Sequence, residues 1–184
     1  MGLVIFYAVV AIEALERLFE VVLSKRNHKR LTARVGIVLE HPIHWVVVFS
    51  HIIWLAAVPL EVFFFNRIFN PVLASICLAI LVFAMALRYW AVTTLGDRWN
   101  IRIITLPGEK RITNGPYRWF RHPNYIAVFA EHFALPLLHS AWFSAFVLGT
   151  IGSLIILAKI KYEDAALSNQ QFDVKTETIV ANEP

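Results

Sequence analysis

Long apolar stretches separated by short charged segments constrain this chain more than any other feature of its sequence. A helix needs about 20 mostly apolar residues to cross the roughly 30 Å hydrocarbon core of a bilayer. The charged fraction is only 16%, against about 25% in soluble domains. The pattern predicts an all-α, polytopic membrane helical bundle forming one domain over residues 1–184. Its five candidate transmembrane helices span residues 2–23, 43–65, 71–95, 124–138 and 141–158.

The distribution of basic residues predicts how these spans are oriented. Five crossings place the two termini on opposite sides of the membrane. The basic residues after spans one, three and five then fall on one side, and Arg67 falls in the loop on the other. Lys and Arg accumulate in cytoplasmic loops. We therefore expect a multi-pass protein of an inner or plasma membrane, with a cytoplasmic loop between spans three and four and a cytoplasmic C-terminus.

The net charge of +4 raises the question of a nucleic-acid partner. The basic residues lie beside the predicted spans and match no recognised nucleic-acid-binding motif. Membrane-surface electrostatics accounts for them, so we expect the lipid bilayer as a partner and no nucleic acid. The polar stretch at residues 170–184 is interpreted as a disordered tail.

Four ionisable residues recur at helical spacing within the first span: Glu13, Glu16, Arg17 and Glu20. Residues three and four apart share a helix face, and an ionisable side chain within a span costs about 2.5 to 3.5 kcal/mol on insertion scales. Two interpretations are open. This face contacts protein or enclosed water, or it lies in the membrane interface with its charges solvated. We expect Arg88 in span three to snorkel toward the headgroups.

The histidine and cysteine patterns do not predict a metal site. His44 and His51 are seven residues apart in span two, without a carboxylate or cysteine at ligand spacing. Cys77 is the sole cysteine of the sequence, which excludes an internal disulfide and a cysteine-based zinc cluster. We therefore expect no metal ion.

The densest chemical signal lies between spans three and four, in residues 99–125. Pro123 suits the first position of a helix, because it has no amide hydrogen to satisfy there. His122 is then placed at a helix start, where free amide groups and the helix dipole attract a carboxylate or phosphate. Arg118 and Arg121 add positive charge, although basic residues at a span boundary also follow from topology alone. We expect an anionic group of a ligand to dock here.

A second signal follows span five, where Lys159 and Glu163 lie one helical turn apart. They form either a functional pair or an ordinary surface salt pair worth a few tenths of a kcal/mol.

These motifs resemble a known family. Gly-Pro-Tyr at residues 115–117 and Arg-His-Pro-Asn-Tyr at residues 121–125, with Lys159 and the acidic pair at 163–164, are similar to the signature of the isoprenylcysteine carboxyl methyltransferase family. The resemblance is firm over residues 88–167. It implies a membrane methyltransferase that uses S-adenosylmethionine, with a cytoplasmic cofactor pocket formed by the loop and the C-terminal helix. It also implies a lipid-facing tunnel for the substrate.

The resemblance assigns roles to individual residues. Cofactor contacts would come from Arg102, Lys110, Arg111, Ile112, Tyr117, His122, Pro123, Asn124, Tyr125 and Glu163. Lys159 would approach the methyl acceptor. A hydroxyl acceptor must lose a proton during transfer, and Glu131 is a candidate base because it is a carboxylate in an apolar helix. A buried hydrogen-bonding role for Glu131 is equally open.

Departures from the family pattern bear on the substrate. The family commonly has Arg at the place of Lys159, and lysine offers a carboxylate a point charge rather than a bidentate fork. The family's Phe-Gly and Tyr tail is missing beyond Phe172. Trp-Asn at 99–100, Leu-Pro-Gly at 106–108 and Glu131 are similar to the bacterial branch that methylates alkylpyrones and alkylresorcinols. We expect a lipophilic acceptor entering from the membrane, with a lipid hydroxyl favoured over the carboxylate of a prenylated, isoprenylcysteine-like substrate.

Two other classes stay open as alternatives. A membrane sterol-type reductase would use NADPH and place it near the cytoplasmic ends of the spans, but it needs a site for the 2'-phosphate and a longer bundle. A non-enzymatic lipid-binding protein has no need for the cluster of His122, Tyr125 and Glu163.

Overall fold

The computed structural model describes residues 2–33, 37–39, 41–106, 109 and 111–180 of a mostly helical chain. Its helices and strands follow in the order α1 (Gly2–Ala33), β1 (Ile37–Leu39), α2 (Ile43–Phe65), α3 (Pro71–Leu95), β2 (Ile103–Thr105), α4 (Pro123–Leu137) and α5 (Gly149–Val180). Short 3-10 helices cover Gly96–Arg98 and Gly115–Arg118, and a π-helical turn at Ser144–Leu148 leads into α5. The polar stretch from Gln170 overlaps the end of α5.

Three helical segments of the described chain are long and apolar enough to cross a bilayer: Ile43–Phe65, Pro71–Arg98 and Ser144–Ala166. They coincide with predicted spans two, three and five, so the prediction of a membrane protein is confirmed. The fourth predicted span is a helix of 15 residues, shorter than the roughly 20 that a crossing needs. The first predicted span lies in α1 and contains several charged residues. The count of five crossings and the cytoplasmic side of the loop stay predictions.

Large apolar side chains cover the outside of these helices. Phe64 is 69% exposed, Phe83 67% and Leu154 59%. Soluble monomers rarely expose extended apolar patches, whereas lipid tails offer such side chains an apolar surrounding. The exposed faces of α2, α3 and α5 are therefore suited to contact with lipid.

The helix starts follow from local sequence. At α3, the Asn70 side chain accepts hydrogen bonds from the amides of Val72 at 3.0 Å and Leu73 at 3.1 Å. Pro71 fills the first helical position, where no amide hydrogen is required. Pro123 begins α4 in the same way, as its place in the sequence predicted.

A small antiparallel ribbon departs from a purely helical architecture. β1 pairs with β2, with Val38 opposite Ile104 at the centre of the register. The ribbon joins the segment after α1 to the segment after α3. It was not predicted, because three-residue strands give no readable alternation and their partners lie far apart in the chain.

The helices pack around two apolar clusters, and the most extensive helix pair is α3 with α4. Phe6, Val58 and Leu135 are fully buried and bring α1, α2 and α4 together at one end of the molecule. At the other end, Val47 and Val128 pack with Ile156 of α5. This second cluster lies beside the start of α4, where the signature residues are found.

Candidate active site

The signature motif at the start of α4 meets the acidic pair of α5. His122 Nε2 lies 3.0 Å from Asp164 Oδ1, and Arg121 Nε lies 2.8 Å from the same oxygen. The Tyr125 hydroxyl donates a hydrogen bond to Glu163 Oε2 at 2.6 Å. Residues that are distant in the chain thus form one polar cluster, as the resemblance implied. The resemblance included Asp164 in the acidic pair of the signature but gave it no contact, so its contacts with His122 and Arg121 were not predicted.

Tyr117 approaches this cluster from the loop side. It lies in the 3-10 helix Gly115–Arg118 and is half-buried. Burial, and then the nearby Glu163 carboxylate, raise the pKa of the Tyr117 phenol. The hydroxyl therefore stays protonated at neutral pH and can donate a hydrogen bond.

Gly115 allows the Tyr117 segment to sit against α3. Its φ is +56°, and a Cβ placed there would lie 2.5 Å from Thr94 Oγ1. A side chain at this position would both strain the backbone and push the segment away from the helix. This glycine of the signature therefore has a packing function that is independent of any ligand.

Asn124 provides a test of whether a polar ligand fits here. Its Oδ1 is buried and has no hydrogen-bond partner within the protein. An unpaired buried acceptor is unfavourable and calls for an explanation. An amino or hydroxyl group of a nucleoside or amino-acid moiety would supply the missing donor. The residues at the start of α4 therefore fit a ligand such as S-adenosylmethionine.

Lys159 is held inside the protein next to this cluster. It is 5% exposed, and its Nζ donates to the Ile101 carbonyl oxygen at 2.9 Å. The ammonium also lies 5.6 Å from the centroid of the Tyr125 ring, within the range of a cation–π interaction. The interpretation of Lys159 as one half of a surface salt pair is therefore wrong, because the side chain is not at the surface.

The remaining predicted contacts lie along the connecting loop. Arg111 Nη2 donates to the carbonyl oxygen of Arg121 at 3.0 Å, which braces the signature motif. Ile112 is half-buried in the same loop. Arg102 lines a separate cavity with basic residues of α1, among them Lys25, Arg26, Lys29 and Arg30. Lys110 lies outside the described residues.

A second polar cluster lies between α1, α3 and α4. Arg88 is 1% exposed. Its Nη1 donates to Glu20 Oε1 at 2.9 Å, its Nε donates to Glu131 Oε1 at 3.2 Å, and its Nη2 contacts the other oxygen of Glu131. The prediction that Arg88 snorkels toward the headgroups is wrong, because two buried carboxylates hold it inside the bundle.

Arg17 completes this cluster from α1. It donates to Glu20 Oε2 at 2.6 Å and to Glu131 Oε2 at 2.7 Å. Glu20 and Glu131 are therefore each bonded by both guanidinium groups. Glu13 and Glu16 are buried beside them, at 2% and 6% exposure. Of the two interpretations of this face of α1, contact with protein is confirmed and solvated charges are wrong.

The contacts of Glu131 bear on its two proposed roles. Both of its oxygens accept hydrogen bonds from arginines, which supports the buried hydrogen-bonding role. The base role stays a prediction.

Long apolar helices with exposed apolar faces and a polar cluster at the start of α4 are the features of a membrane protein with a candidate active site. Residues 77–169, just over half of the chain, match the family model described as the isoprenylcysteine carboxyl methyltransferase (ICMT) family. The chain belongs to this family.

Two bacterial relatives extend the similarity beyond the matched segment. The protein YpbQ of Bacillus subtilis (strain 168), described as uncharacterized, is 28% identical over 170 residues, which cover 92% of this chain and 99% of YpbQ. An uncharacterized protein of Haemophilus influenzae is 29% identical over 154 residues, covering 83% of this chain and 89% of that protein. The functional class therefore follows from the family, not from either relative.

Proposed function

We propose that this protein is an S-adenosylmethionine-dependent O-methyltransferase whose cofactor binds at the start of α4. The observation that carries the proposal is the contact of the family signature with α5, through Tyr125 to Glu163 and His122 to Asp164. Asn124, whose buried Oδ1 has no hydrogen-bond partner, lies between His122 and Tyr125 in the sequence. Family membership favours this reading over the NADPH reductase and over a non-enzymatic lipid-binding protein.

Methyl transfer from S-adenosylmethionine to an oxygen requires no covalent bond to the protein. The cofactor supplies a methyl group on a positively charged sulfonium, ready for in-line displacement by an oxygen. The protein must align the two reactants and exclude water. Tyr117, His122, Asn124 and Glu163 would hold the cofactor, since each offers a hydrogen-bonding group from the loop, α4 or α5.

Lys159 would position the acceptor oxygen. An ammonium has three donor hydrogens, and the Ile101 carbonyl takes one of them. The others can face a carboxylate or a hydroxyl oxygen that is losing its proton. Because the ammonium is buried, its attraction for a developing negative charge is weakly screened by water.

The proposed acceptor is lipophilic, and an apolar groove between α2 and α5 supports this. Its lining includes Trp45, Phe49, Ile53, Ile151 and Ile155. Such a surface suits an alkyl or prenyl chain that arrives from the membrane. We propose a lipid hydroxyl of the alkylpyrone or alkylresorcinol type as the acceptor, with the carboxylate of an isoprenylcysteine-like molecule as the alternative. The cofactor site would face the cytoplasm.

Two measurements test the proposal. Calorimetric titration of the detergent-purified protein with S-adenosylhomocysteine should give micromolar binding, and NADPH run in parallel should give none. Transfer of a labelled methyl group is then measured with alkylresorcinols, alkylpyrones and prenylcysteines as separate acceptors. Binding of NADPH alone would move the assignment to a reductase, and binding of neither compound would favour a lipid-binding protein.

A further inference from the structure

The second polar cluster, between α1, α3 and α4, carries more negative than positive charge. It consists of four carboxylates and two guanidiniums, from Glu13, Glu16, Glu20, Glu131, Arg17 and Arg88. Arg17 and Arg88 are hydrogen-bonded to Glu20 and Glu131, which makes a neutral group of four. The carboxylates of Glu13 and Glu16 then add two negative charges. No further cation of the described residues lies within ion-pair distance of them.

Glu16 is the least satisfied member of this cluster. Its side chain is buried, yet neither of its oxygens has a hydrogen-bond partner. The nearest guanidinium nitrogens are Arg88 Nε at 3.7 Å and Arg17 Nη2 at 4.0 Å, both beyond hydrogen-bond distance. Glu13 Oε2 is also unbonded, 3.5 Å from Arg17 Nη2. A buried, ionised carboxylate needs a partner that supplies positive charge and contacts its oxygens directly.

The positions of these oxygens match the ligand set of a metal ion, although the histidine and cysteine patterns of the sequence led us to expect none. One carboxylate oxygen from each of Glu13, Glu16 and Glu131 lies within 4.8 Å of the other two. Oxygens bound to one Ca²⁺ at its usual distances are at most about 5 Å apart. A set made only of carboxylate oxygens selects hard cations, whereas Zn²⁺ prefers nitrogen and sulfur ligands.

We propose that Glu13, Glu16 and Glu131 bind one hard divalent cation of the Mg²⁺ or Ca²⁺ class, with water in the remaining coordination positions. The ion makes the cluster electrically neutral, since four carboxylates then face two guanidiniums and one divalent charge. It ties α1 to α4, the helix whose first turn carries the family signature. Glu13 and Glu16 have no part in the proposed methyl transfer, whereas Glu131 is also the candidate base, so the metal tests below measure ion content and unfolding and not methylation.

The first test measures the metal content of the intact protein. Protein purified in detergent without chelator is analysed by inductively coupled plasma mass spectrometry, and we expect about one equivalent of Mg²⁺ or Ca²⁺ per chain. After treatment with EDTA, thermal unfolding is followed during titration with each ion. Binding to the folded state alone raises the midpoint of unfolding, so we expect a saturable rise with Mg²⁺ or Ca²⁺. Protein that holds no stoichiometric ion and unfolds at the same temperature with and without these ions would overturn the proposal.

The second test removes the negative charge and one oxygen of a ligand while keeping the shape of the side chain. Glu16→Gln should lose the bound ion and the dependence of its unfolding temperature on added metal. The matched control is Glu61→Gln, because Glu61 is equally buried but accepts hydrogen bonds from Arg67 at 2.5 Å and from the Ser144 amide at 2.7 Å. This control should keep the ion. Retention of the ion by Glu16→Gln would contradict the assignment. A second contradicting outcome is a wild type that contains no metal and unfolds at a lower temperature than Glu16→Gln, since protons would then neutralise the cluster.

Discussion

The hydroxyl of Tyr125 and the carboxylate of Glu163 are joined by a hydrogen bond of 2.6 Å across 38 residues of chain. The bond fastens the first turn of α4 to α5 at the point where the family signature meets the acidic pair. Lys159 lies above the same tyrosine ring. Tyr125 therefore connects the residues proposed for the cofactor with the residue proposed for the acceptor.

Removing the Tyr125 hydroxyl should weaken cofactor binding without unfolding the protein. A hydrogen bond to a charged group contributes about 1.5 to 3 kcal/mol, so Tyr125→Phe should lower the affinity for S-adenosylhomocysteine by roughly tenfold or more. Calorimetry provides the measurement. Tyr162→Phe is the matched control, because Tyr162 is exposed on α5 one residue before Glu163. Equal affinities for wild type and Tyr125→Phe would count against the pocket.

His122→Ala should also weaken binding of S-adenosylhomocysteine. The substitution removes the ring that contacts Asp164, so that this carboxylate loses His122 and keeps its contact with Arg121. Calorimetry of this variant is compared with Thr113→Ala, an exposed position of the same loop. If His122→Ala binds S-adenosylhomocysteine as tightly as Thr113→Ala does, His122 is not part of the cofactor site.

Lys159→Met should impair transfer more than cofactor binding. Loss of one donor to a developing negative charge lowers kcat by about 10²-fold or more, while the cofactor residues around His122 are retained. Initial rates of methyl transfer and calorimetry with S-adenosylhomocysteine separate the two effects. Lys161→Met is the control, since Lys161 is exposed on the same helix. Transfer at the wild-type rate would show that Lys159 has no role at the acceptor.

Glu131→Gln distinguishes the two roles of this carboxylate. If Glu131 is the base for a hydroxyl acceptor, the folded variant should methylate such a lipid about 10²-fold more slowly, and a carboxylate acceptor should be affected far less. The rates are normalised to the folded fraction measured by thermal unfolding. Full methylation of the hydroxyl lipid would exclude the base role and leave the contacts with Arg17 and Arg88.

Arg88→Met should destabilise the protein strongly. Removing one partner of a buried ion pair costs about 3 to 5 kcal/mol, because the other charge stays buried. The exposed pair of Arg30 and Asp97, 2.5 Å apart, offers the comparison, since Arg30→Met should cost less than about 1 kcal/mol. Thermal unfolding in detergent measures both variants. Similar midpoints for the two would show that the Arg88 cluster contributes no more than a surface pair.

Residues close together in the sequence were predicted better than contacts between helices. Pro123 as a helix start follows from its missing amide hydrogen, which is a property of one residue. Lys159 is different, because its burial depends on where the Ile101 segment crosses α5. The spacing of four residues places Lys159 and Glu163 on the same face of α5. It does not indicate which segment of the chain packs over that face.

That this is a membrane protein built from apolar helices follows from the amino-acid sequence, because hydrocarbon admits only long apolar segments with their backbone hydrogen bonds satisfied internally. The family signature and the helix that it begins follow from the sequence as well. That Glu20 and Glu131 are each bonded by both Arg17 and Arg88 is visible only in the folded protein. Helical periodicity places a charge on a face, whereas its partner is set by the packing of α1 against α3 and α4, which are distant in the chain.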